Sequence, residues 1–536
     1  MSPADRPDRD RPARDGDRPA RDGDRPARDG DRSRGARQRP DAAEGRDAQG
    51  RQRGAARREG RSTRTTSAPS QRRRSTDPAR RVAYDVLRTV AEGDAYANLV
   101  LPPLLRERRI TGRDAAFATE LAYGTLRLRG RYDAVLELAA ARTTDTIDPP
   151  VLDVLRLGAH QLLGMRVPPH AAVSETVGLA RDALGAGPAQ FVNAVLRHVS
   201  REPADAWEQR IADAAGEDPV ARLAVVGSHP LWVARALREA LAGDGRPVDE
   251  LGTLLDADNT APLVTLVARP GLADVDELGA PADGPAPLSP TAVVLAGGDP
   301  ASVPAVREGR AGVQDDGSQL VALALAAAPL EGRDERWLDL CAGPGGKAAL
   351  LAAEAARRGA RLVANEVQPH RARLVRQSLR AVPPEAVEVV RTGDGRVLGD
   401  DDPAAFDRVM VDAPCTGLGA LRRRPEARWR RTPADLAALT GLQRDLLGSA
   451  LRAVRVGGVV AYVTCSPHLA ETRLVVKDAL RAAAKAGIDV ERLDTAAVVR
   501  DVARRDVDLT DRSHVQLWPH VHGTDAMHLT LLRRTS

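Results

Sequence analysis

Apolar residues recur at spacings of three and four along residues 76–201, which is the period of amphipathic helices. Thr76 or Asp77 can cap the first helix, and Pro78 suits its first turn. Pro or Gly separates the later segments, such as "PPVLDVLRLGAHQLLGM" and "PAQFVNAVLRHVSRE". The pattern therefore predicts an all-α bundle over residues 76–201.

Residues 202–330 mix two patterns. "HPLWVARALREAL" has the spacing of a helix, "APLVTLVARPG" that of a strand, and "AVREGRAGVQDDGSQLVALALAAA" a turn-rich strand leading into a helix. We predict a small α/β insert here. From residue 331 to residue 536, apolar strands alternate with helical patterns, which predicts an α/β domain with a mostly parallel sheet.

Acids and thiols stand where the predicted strands of this last region end. Glu366 ends "RLVANEV", Asp394 follows "AVEVVRTG", Asp412 and Cys415 close "FDRVMVDAPC", and Cys465 closes "GGVVAYVTC". One Asp at a strand end is more often a helix cap than a ligand. Because open α/β sheets bind ligands at the carboxyl ends of their strands, such a series of polar ends favours a binding site.

The turn after the strand "RWLDL" is rich in Gly and Pro. Glycines allow the backbone to approach a ligand at a helix N-terminus, and Glu366, 21 residues after Gly345, can accept hydrogen bonds from ribose hydroxyls. The turn lacks GxxxxGK[ST], which disfavours a P-loop, and it departs from GxGxxG, which disfavours a nicotinamide site. An ordinary strand-to-helix turn stays open at this point.

Charge divides the chain in two. Residues 1–76 hold 22 Arg against 13 Asp plus Glu, whereas the remaining 460 residues carry 57 basic and 61 acidic side chains. The tail repeats "RPARDGD" three times and is nearly free of apolar side chains, so we expect residues 1–75 to be disordered. Two interpretations of this tail stay open: a solvated extension without function, or a weak electrostatic arm that binds RNA.

Composition also bounds the location of the protein. No apolar run approaches the roughly 20 residues of a membrane span, and no apolar h-region follows the N-terminus. Three cysteines in 536 residues argue against a disulfide framework and favour a reducing cytoplasm. The only lysines are Lys347, Lys477 and Lys485, so a lysine in the Gly-rich turn suggests a need for a compact ammonium there, with chance as the alternative.

Three motifs, taken in order, resemble those of bacterial RNA cytosine-5 methyltransferases of the RsmB type, also called Fmu or Sun. They are the cofactor loop "DLCAGPGGK", the proline–cysteine motif "DAPCTGLGALRRRPEARW" and the threonine–cysteine motif "YVTCS". The phrases "RRVAYDVL", "ELAYGTLR" and "FVNAVLR" resemble the NusB-like RNA-binding bundle. The resemblance runs from about residue 76 to the C-terminus. It implies a Rossmann-like S-adenosylmethionine domain that methylates C5 of a cytosine in 16S rRNA, usually cytosine 967.

The resemblance also implies roles for the residues at the strand ends. Glu366 would hold the ribose hydroxyls, although the family's usual residue there is Asp, while Asp394 would lie beside the adenine and Asp412 would serve both cofactor and target cytosine. The segment "VQDDGSQL" (313–320) matches the family, whereas "TDAMH" (524–528) departs from its "DGFF"-like stretch. Seven loop residues would surround the methionine and ribose of the cofactor: Cys341, Ala342, Gly343, Pro344, Gly345, Gly346 and Lys347.

The expected chemistry uses two of the three cysteines. C5 of cytosine is a poor nucleophile until a thiolate adds to C6, and protonation at N3 or a hydrogen bond from the neutral acid form of Asp412 would favour that addition. A free thiol is only a few per cent thiolate at neutral pH, so the site should lower the pKa of the attacking group. By resemblance, Cys465 is the nucleophile, Cys415 assists product release and Cys341 only packs.

Other interpretations stay open. Inert buried thiols are one, and a zinc site is disfavoured because the cysteines lie in separate strands without C-x-x-C pairing. A non-catalytic RNA-binding or antitermination factor, and the same chemistry on another rRNA or tRNA site, are two more. We expect RNA as partner, no DNA, no membrane and a monomer, and we predict that "LRRRPEARWRR" (421–431) contacts phosphates and bases.

Overall fold

A computed structural model describes residues 77–536 except residues 94, 280 and 285. The predicted disordered tail, residues 1–75, lies outside the described residues. No helix in the described part of the chain is both long and apolar enough to span a bilayer.

The first region is all helical, as predicted. The Asp77 carboxylate accepts a hydrogen bond from the Ala79 amide and caps the first helix, whose first residue is Pro78. Apolar faces of these helices enclose one core around Leu121, Leu155 and Leu196. The helices are α1 Pro78–Glu92, α2 Ala97–Glu107, α3 Gly112–Arg127, α4 Arg129–Ala140, α5 Pro149–Leu163, α6 Pro169–Leu184 and α7 Ala186–Val199.

Residues 202–330 contain helices first and strands afterwards. Four helices continue the helical region: α8 Ala204–Ala214, α9 Pro219–Val226, α10 Leu231–Gly243 and α11 Leu251–Asp258. A three-stranded antiparallel sheet of order β2-β1-β3 follows. Its elements and the helix after it are β1 Thr265–Ala268, β2 Ala292–Val294, α12 Pro304–Glu308, β3 Ala311–Val313 and α13 Asp316–Ala327.

The last region forms an eight-stranded mixed sheet. Its strands are β4 Arg336–Asp339, β5 Arg361–Asn365, β6 Val387–Arg391, β7 Phe406–Asp412, β8 Val454–Thr464, β9 Val490–Arg492, β10 Val515–Gln516 and β11 His528–Arg534. Its helices are α14 Gly346–Arg357, α15 Pro369–Ser378, α16 Leu398–Asp401, α17 Ala427–Arg430, α18 Pro433–Ala453, α19 Arg473–Lys485, α20 Thr495–Val502 and α21 Pro519–His522.

The strand order β10-β11-β8-β7-β4-β5-β6, with β9 beside β11, explains where a ligand can bind. Strands β4 to β8 are mutually parallel where they pair, and β11 runs antiparallel to β8. After β4, the chain forms β5 and β6 on one side of β4 in the sheet, and then crosses to form β7 and β8 on the other side. Because the loops diverge between β4 and β7, a crevice opens at their carboxyl ends.

Both faces of the parallel strands are buried, so nearly every residue of a strand is apolar. Trp337 and Met410 point into a core that includes Leu350 of α14, whereas Leu338 and Val409 point into a core on the opposite face. This alternation is the two-residue period of a strand with helices on both faces. The two cores fix the register of the strands and thereby the height at which each strand ends.

Candidate functional site

The loops that follow β4, β7 and β8 meet at the predicted edge of the sheet. We call the four side chains Lys347, Asp412, Cys415 and Cys465 the sheet-edge site. Residue pairing places Asp412 of β7 beside Val463 of β8, two residues before Cys465. The side chains that the motifs supply from distant parts of the sequence are thus brought into contact by the parallel register.

The two thiols predicted to act together are in contact. Cys415 Sγ and Cys465 Sγ lie 3.4 Å apart, and each side chain is only partly buried. The hydrogen bond from Cys415 is the largest influence on the pKa of Cys465 and lowers it. Burial and the charge of Asp412 act to raise this pKa, and the positive charges of Lys347 and Arg424 act to lower it, so the net shift is downward. The same hydrogen bond and burial raise the pKa of Cys415 well above its usual range. Cys465 is therefore the more easily deprotonated thiol of the pair, and Cys415 is the hydrogen-bond donor to it.

Lys347 occupies the centre of the sheet-edge site. Its Nζ donates a hydrogen bond of 2.9 Å to Asp412 Oδ2, and only 12% of its side chain is exposed. Burial acts to lower the pKa of Lys347, but the charge of Asp412 and this hydrogen bond leave it raised. The Lys347 ammonium is thus retained beside Cys465, which agrees with the need for a compact cation at this position.

Asp339, at the end of β4, is a buried acid that the sequence motifs did not single out. Neither of its carboxylate oxygens has a hydrogen-bond partner, and the residue is fully buried. Burial, and next the negative charge of Asp412, raise the pKa of Asp339 to about 7. A buried acid without partners at a strand end has hydrogen-bonding capacity left for a ligand.

The Gly-rich loop is held against the end of β5 by Glu366. One carboxylate oxygen of Glu366 accepts from the Gly343 amide at 3.1 Å, and the other accepts from the Gln368 amide at 2.9 Å. Arg371 donates to the Gly343 carbonyl oxygen. Gly345 has a φ of +109°, and a Cβ there would lie 2.7 Å from Ser378 Cβ. Only glycine fits at this position, because both the backbone conformation and the space exclude a side chain.

Asp394 lies farther out on the same edge. Its carboxylate pairs with the guanidinium of Arg396, at 3.0 Å to Nε, and this pairing lowers the pKa of Asp394. Asn365 connects the neighbouring loops, since its Nδ2 donates to the carbonyl oxygens of Leu340 and Gly393, both at 3.1 Å. In the described residues, Asp394 makes no direct contact with the other predicted site residues.

A buried network behind the thiols was not found from the sequence. Glu471 is fully buried, and its carboxylate accepts from the amide and the hydroxyl of Thr416 and from Gln443 Nε2. Gln443 also donates to the Pro414 carbonyl oxygen, and Tyr462 donates to that of Glu471. These bonds join the loop of Cys415 to the loop of Cys465. The available signal was weak, because a Glu at the start of a helix is ordinarily read as a cap.

The segment 421–431, which we call the Arg-rich segment, differs from its prediction. Arg428 is fully buried and donates to the Ser228 carbonyl oxygen at 3.0 Å and to Asn259 Oδ1 at 2.8 Å. Arg430 donates to backbone carbonyl oxygens at the end of α1 and in the loop after it, among them Val90 at 2.9 Å. The prediction of phosphate contacts is wrong for Arg428, because burial and protein acceptors occupy its guanidinium group.

Two further arginines of this segment join the stretches 313–320 and 524–528. Arg422 and Arg423 both pair with Asp315 and with Asp525, at 2.7–3.1 Å. Gly419 lies beneath them, where a Cβ would be 2.1 Å from the Ala526 carbonyl oxygen. The stretch 524–528, which departs from the family's sequence, is therefore buried and supports the loop that carries Cys415. Phosphate contact is wrong for Arg422 as well, whose side chain is only 10% exposed.

The residues of this edge fit the cofactor that the sequence resemblance implies. Carboxylate oxygens of Glu366 each accept one amide hydrogen bond and retain further lone pairs for hydroxyl donors. Asp339 retains both oxygens. In the described residues, no group of three or more His, Cys, Asp and Glu side chains is arranged to hold a metal ion.

Two protein families match separate parts of the chain. The family described as 16S rRNA methyltransferase RsmB/F matches residues 325–533, and the NusB family matches residues 77–201. The first match covers the mixed sheet and the thiols, and the second covers α1 to α7.

Individual relatives extend over both parts. A Mycobacterium tuberculosis protein named as a methyltransferase, without a stated substrate, is 53% identical over 464 residues, which are 86% of this chain and 98% of that protein. The ribosomal RNA small subunit methyltransferase B of Pseudomonas putida is 32% identical over 409 residues, 74% of this chain and 88% of its own. The crystal structure of PH0851 has the same fold, with a TM-score of 0.67, 19% identity, and coverage of 85% and 98%.

Proposed function

The chain belongs to the 16S rRNA methyltransferase RsmB/F family, and we propose that it methylates C5 of a cytosine in 16S rRNA, at the position numbered 967. It is an S-adenosylmethionine-dependent RNA methyltransferase with a NusB domain. The observation that carries the proposed chemistry is the contact of 3.4 Å between Cys415 Sγ and Cys465 Sγ beside the Lys347–Asp412 pair. Methylation of a carbon by way of a covalent adduct needs a thiol nucleophile, and a second thiol in contact with it can assist product release, whereas methylation of a ring nitrogen needs neither.

S-adenosylmethionine supplies a methyl group bound to a positively charged sulfur. We assign the loop of residues 341–347 to its methionine portion and ribose, Glu366 to the ribose hydroxyls and Asp394 to the adenine. Asp412 and Asp339 complete an acidic edge, and a cationic ligand would favour the carboxylate form of Asp339, whose pKa burial raises to about 7. Arg396 must release or share the Asp394 carboxylate for that contact to form.

Cys465 starts the reaction in this proposal. Its thiolate forms a bond to C6 of the cytosine, and the electron pair of the C5–C6 double bond moves into the ring, so that C5 becomes nucleophilic. The Cys415 hydrogen bond, Lys347 and Arg424 favour the thiolate before attack, because they lower its pKa. Negative charge that develops at N3 is then neutralised by a proton, and we assign this position to Asp412, which would receive that proton from Lys347 Nζ through their hydrogen bond of 2.9 Å and pass it to N3.

Cys415 ends the reaction. The largest cause of the raised pKa of Cys415 is its hydrogen bond to Cys465. This hydrogen bond is weakened once the Cys465 sulfur is bonded to C6 as a thioether. Cys415 therefore loses its thiol proton to solvent more readily in the adduct than in the free enzyme. It can then take the proton from C5, which restores the double bond and expels the Cys465 thiolate.

The same chemistry on another cytosine of rRNA or tRNA is the second candidate. The geometry favours neither site, because no described residue distinguishes the target sequence. The test is bisulfite sequencing of ribosomal and transfer RNA from strains with and without the gene, together with nucleoside mass spectrometry of in vitro products. Loss of 5-methylcytidine at position 967 alone supports the proposal. Loss at a different cytosine contradicts the target, and a product methylated elsewhere than C5 contradicts the chemistry.

A further inference from the structure

A cavity of about 390 Å³ lies between the helical bundle and the Arg-rich segment. Helices α1, α3, α4 and α5 form one side of it, and Glu426, Trp429 and Arg430 form the other. None of the four sheet-edge residues lines it. Its volume falls within the roughly 300–1,000 Å³ of typical small-molecule sites.

Three polar atoms of residues that line this cavity have no hydrogen-bond partner. They are Glu426 Oε2, Trp429 Nε1 and Arg129 Nε, and all three atoms are buried. Glu426 itself is only 3% exposed, and its other oxygen accepts from the Ala97 amide at 2.9 Å. Arg129 Nε lies 3.7 Å from Asp133 Oδ2, which is too far for a hydrogen bond. Buried polar groups normally have partners, so one acceptor and two donors here are matched to a ligand.

The charges around the cavity argue against a phosphate. Arg156 is already paired with Asp153 at 2.9 Å, and Arg430 donates to backbone carbonyl oxygens. The cavity is lined by three arginines and three carboxylates: Arg129, Arg156 and Arg430, and Glu92, Asp153 and Glu426. Because the charges balance, the cavity suits a neutral ligand that both donates and accepts hydrogen bonds.

We propose that this cavity binds an unpaired purine base of the RNA substrate. A purine offers ring nitrogen acceptors, and in guanine a carbonyl oxygen, to Arg129 and Trp429, and an N–H donor to Glu426. Its flat face can stack with the indole and with the Arg129 guanidinium, which lies 5.7 Å from the Trp429 ring centroid. Guanine should bind more tightly than adenine, because its N1–H and amino group both face toward one acceptor. The inference rests on RNA as substrate, and it is independent of which cytosine is methylated.

Labelled hexauridine and hexamers with one central G, A or C test this preference in the full-length protein. Fluorescence anisotropy without S-adenosylmethionine should show about tenfold tighter binding for the G hexamer than for hexauridine, a smaller gain for A, and little for C. Glu426→Gln keeps the volume and can still accept from Ala97, but it removes the free acceptor. It should therefore abolish most of the purine gain. Glu107→Gln makes the same change on the exposed face of α2 and should keep that gain.

Thermal unfolding shows whether each variant folds. If Glu426→Gln does not, Trp429→Phe, which keeps the ring and removes the N–H, should reduce the purine gain two- to threefold. Equal binding of all four oligonucleotides by the wild type, or a purine gain that survives in the folded variant, overturns the proposal. A loss of cytosine methylation with the purine gain intact would contradict the proposed function and leave this site in place.

Discussion

The sheet-edge site and the Arg-rich segment are both dense in ionisable side chains, yet these groups have opposite uses. At the sheet edge, Lys347 has a single carboxylate partner, and the hydrogen bond from Cys415 and nearby positive charges lower the pKa of Cys465. In the Arg-rich segment, Arg428 has several carbonyl and amide acceptors and no exposure. Residue type alone would have assigned both regions to substrate contact.

The difference lies in how many partners each group already has. A charge whose donors are all paired inside the protein stabilises one arrangement of the chain, and it has little left for a ligand. A charge with one partner, or a thiol beside another thiol, can change partners during a reaction. The Arg-rich segment thus connects the helical region to the loop of Cys415, and the sheet edge keeps groups that can change partners.

The largest expected effect divides the two thiols. Cys465→Ala should lower the methylation rate by roughly a thousandfold or more and should form no covalent complex with RNA, because the attacking atom is gone. Cys415→Ala should still attack C6 but should release the product slowly, so a protein–RNA band should accumulate on a denaturing gel only when S-adenosylmethionine is present. A stable band from Cys465→Ala, and none from Cys415→Ala, would reverse the two roles.

Arg428→Ala should destabilise the protein by about 3–5 kcal/mol, because it leaves several buried acceptors without a donor. Urea unfolding followed by tryptophan fluorescence measures this loss. Arg424→Ala is the matched control, since Arg424 is exposed and its guanidinium, 4.9 Å from the ring centroid of Tyr96, forms no hydrogen bond or ion pair within the described residues, so the loss should be below about 1 kcal/mol. Equal losses for the two variants would contradict the distinction between paired and unpaired arginines.

Glu366→Ala should weaken S-adenosylmethionine binding by about 1.5–3 kcal/mol, the usual size for hydrogen bonds to a charged group. Part of the loss would come from the Gly343 amide, which Glu366 holds at 3.1 Å. Titration calorimetry gives the affinity, and RNA affinity without cofactor should hardly change. Glu388→Ala serves as control, because that carboxylate, on β6, pairs with Arg336 at the start of β4. Unchanged cofactor affinity in Glu366→Ala would show that the ribose contact is misassigned.

The smallest expected effect is a shift along the pH axis. The Cys415 hydrogen bond, and then Lys347 and Arg424, lower the pKa of Cys465, so Lys347→Gln should raise it. Alkylation of Cys465 by iodoacetamide, followed by peptide mass spectrometry, should then begin at higher pH than in the wild type. Lys477→Gln, on the exposed side of α19, should leave the profile in place. If the pH profile of alkylation does not shift in Lys347→Gln, Lys347 does not contribute to the lowered pKa of Cys465.

Much of the sheet edge could be predicted from short stretches of sequence. Apolar strands followed by Gly345, Asp412 and Cys465 indicate loops at the carboxyl ends of parallel strands, and both the fold class and the family followed from them. The insert of residues 202–330 was predicted as mixed, but the order of its elements, four helices and then a three-stranded sheet, was not. Short segments there have too little periodicity to set their order.

The sequence by itself determined the elements and the chemistry of single residues, because helix and strand periods and loop motifs are local properties of the chain. Only the tertiary structure decided which polar groups are paired. Glu471 and Thr416 are 55 residues apart, and Arg428 and Ser228 are 200 apart, yet each pair shares a hydrogen bond. Pairing depends on burial and on approach between distant segments, which no local pattern records, and that is why the arginines of one motif proved to be structural while its cysteine lies at the site.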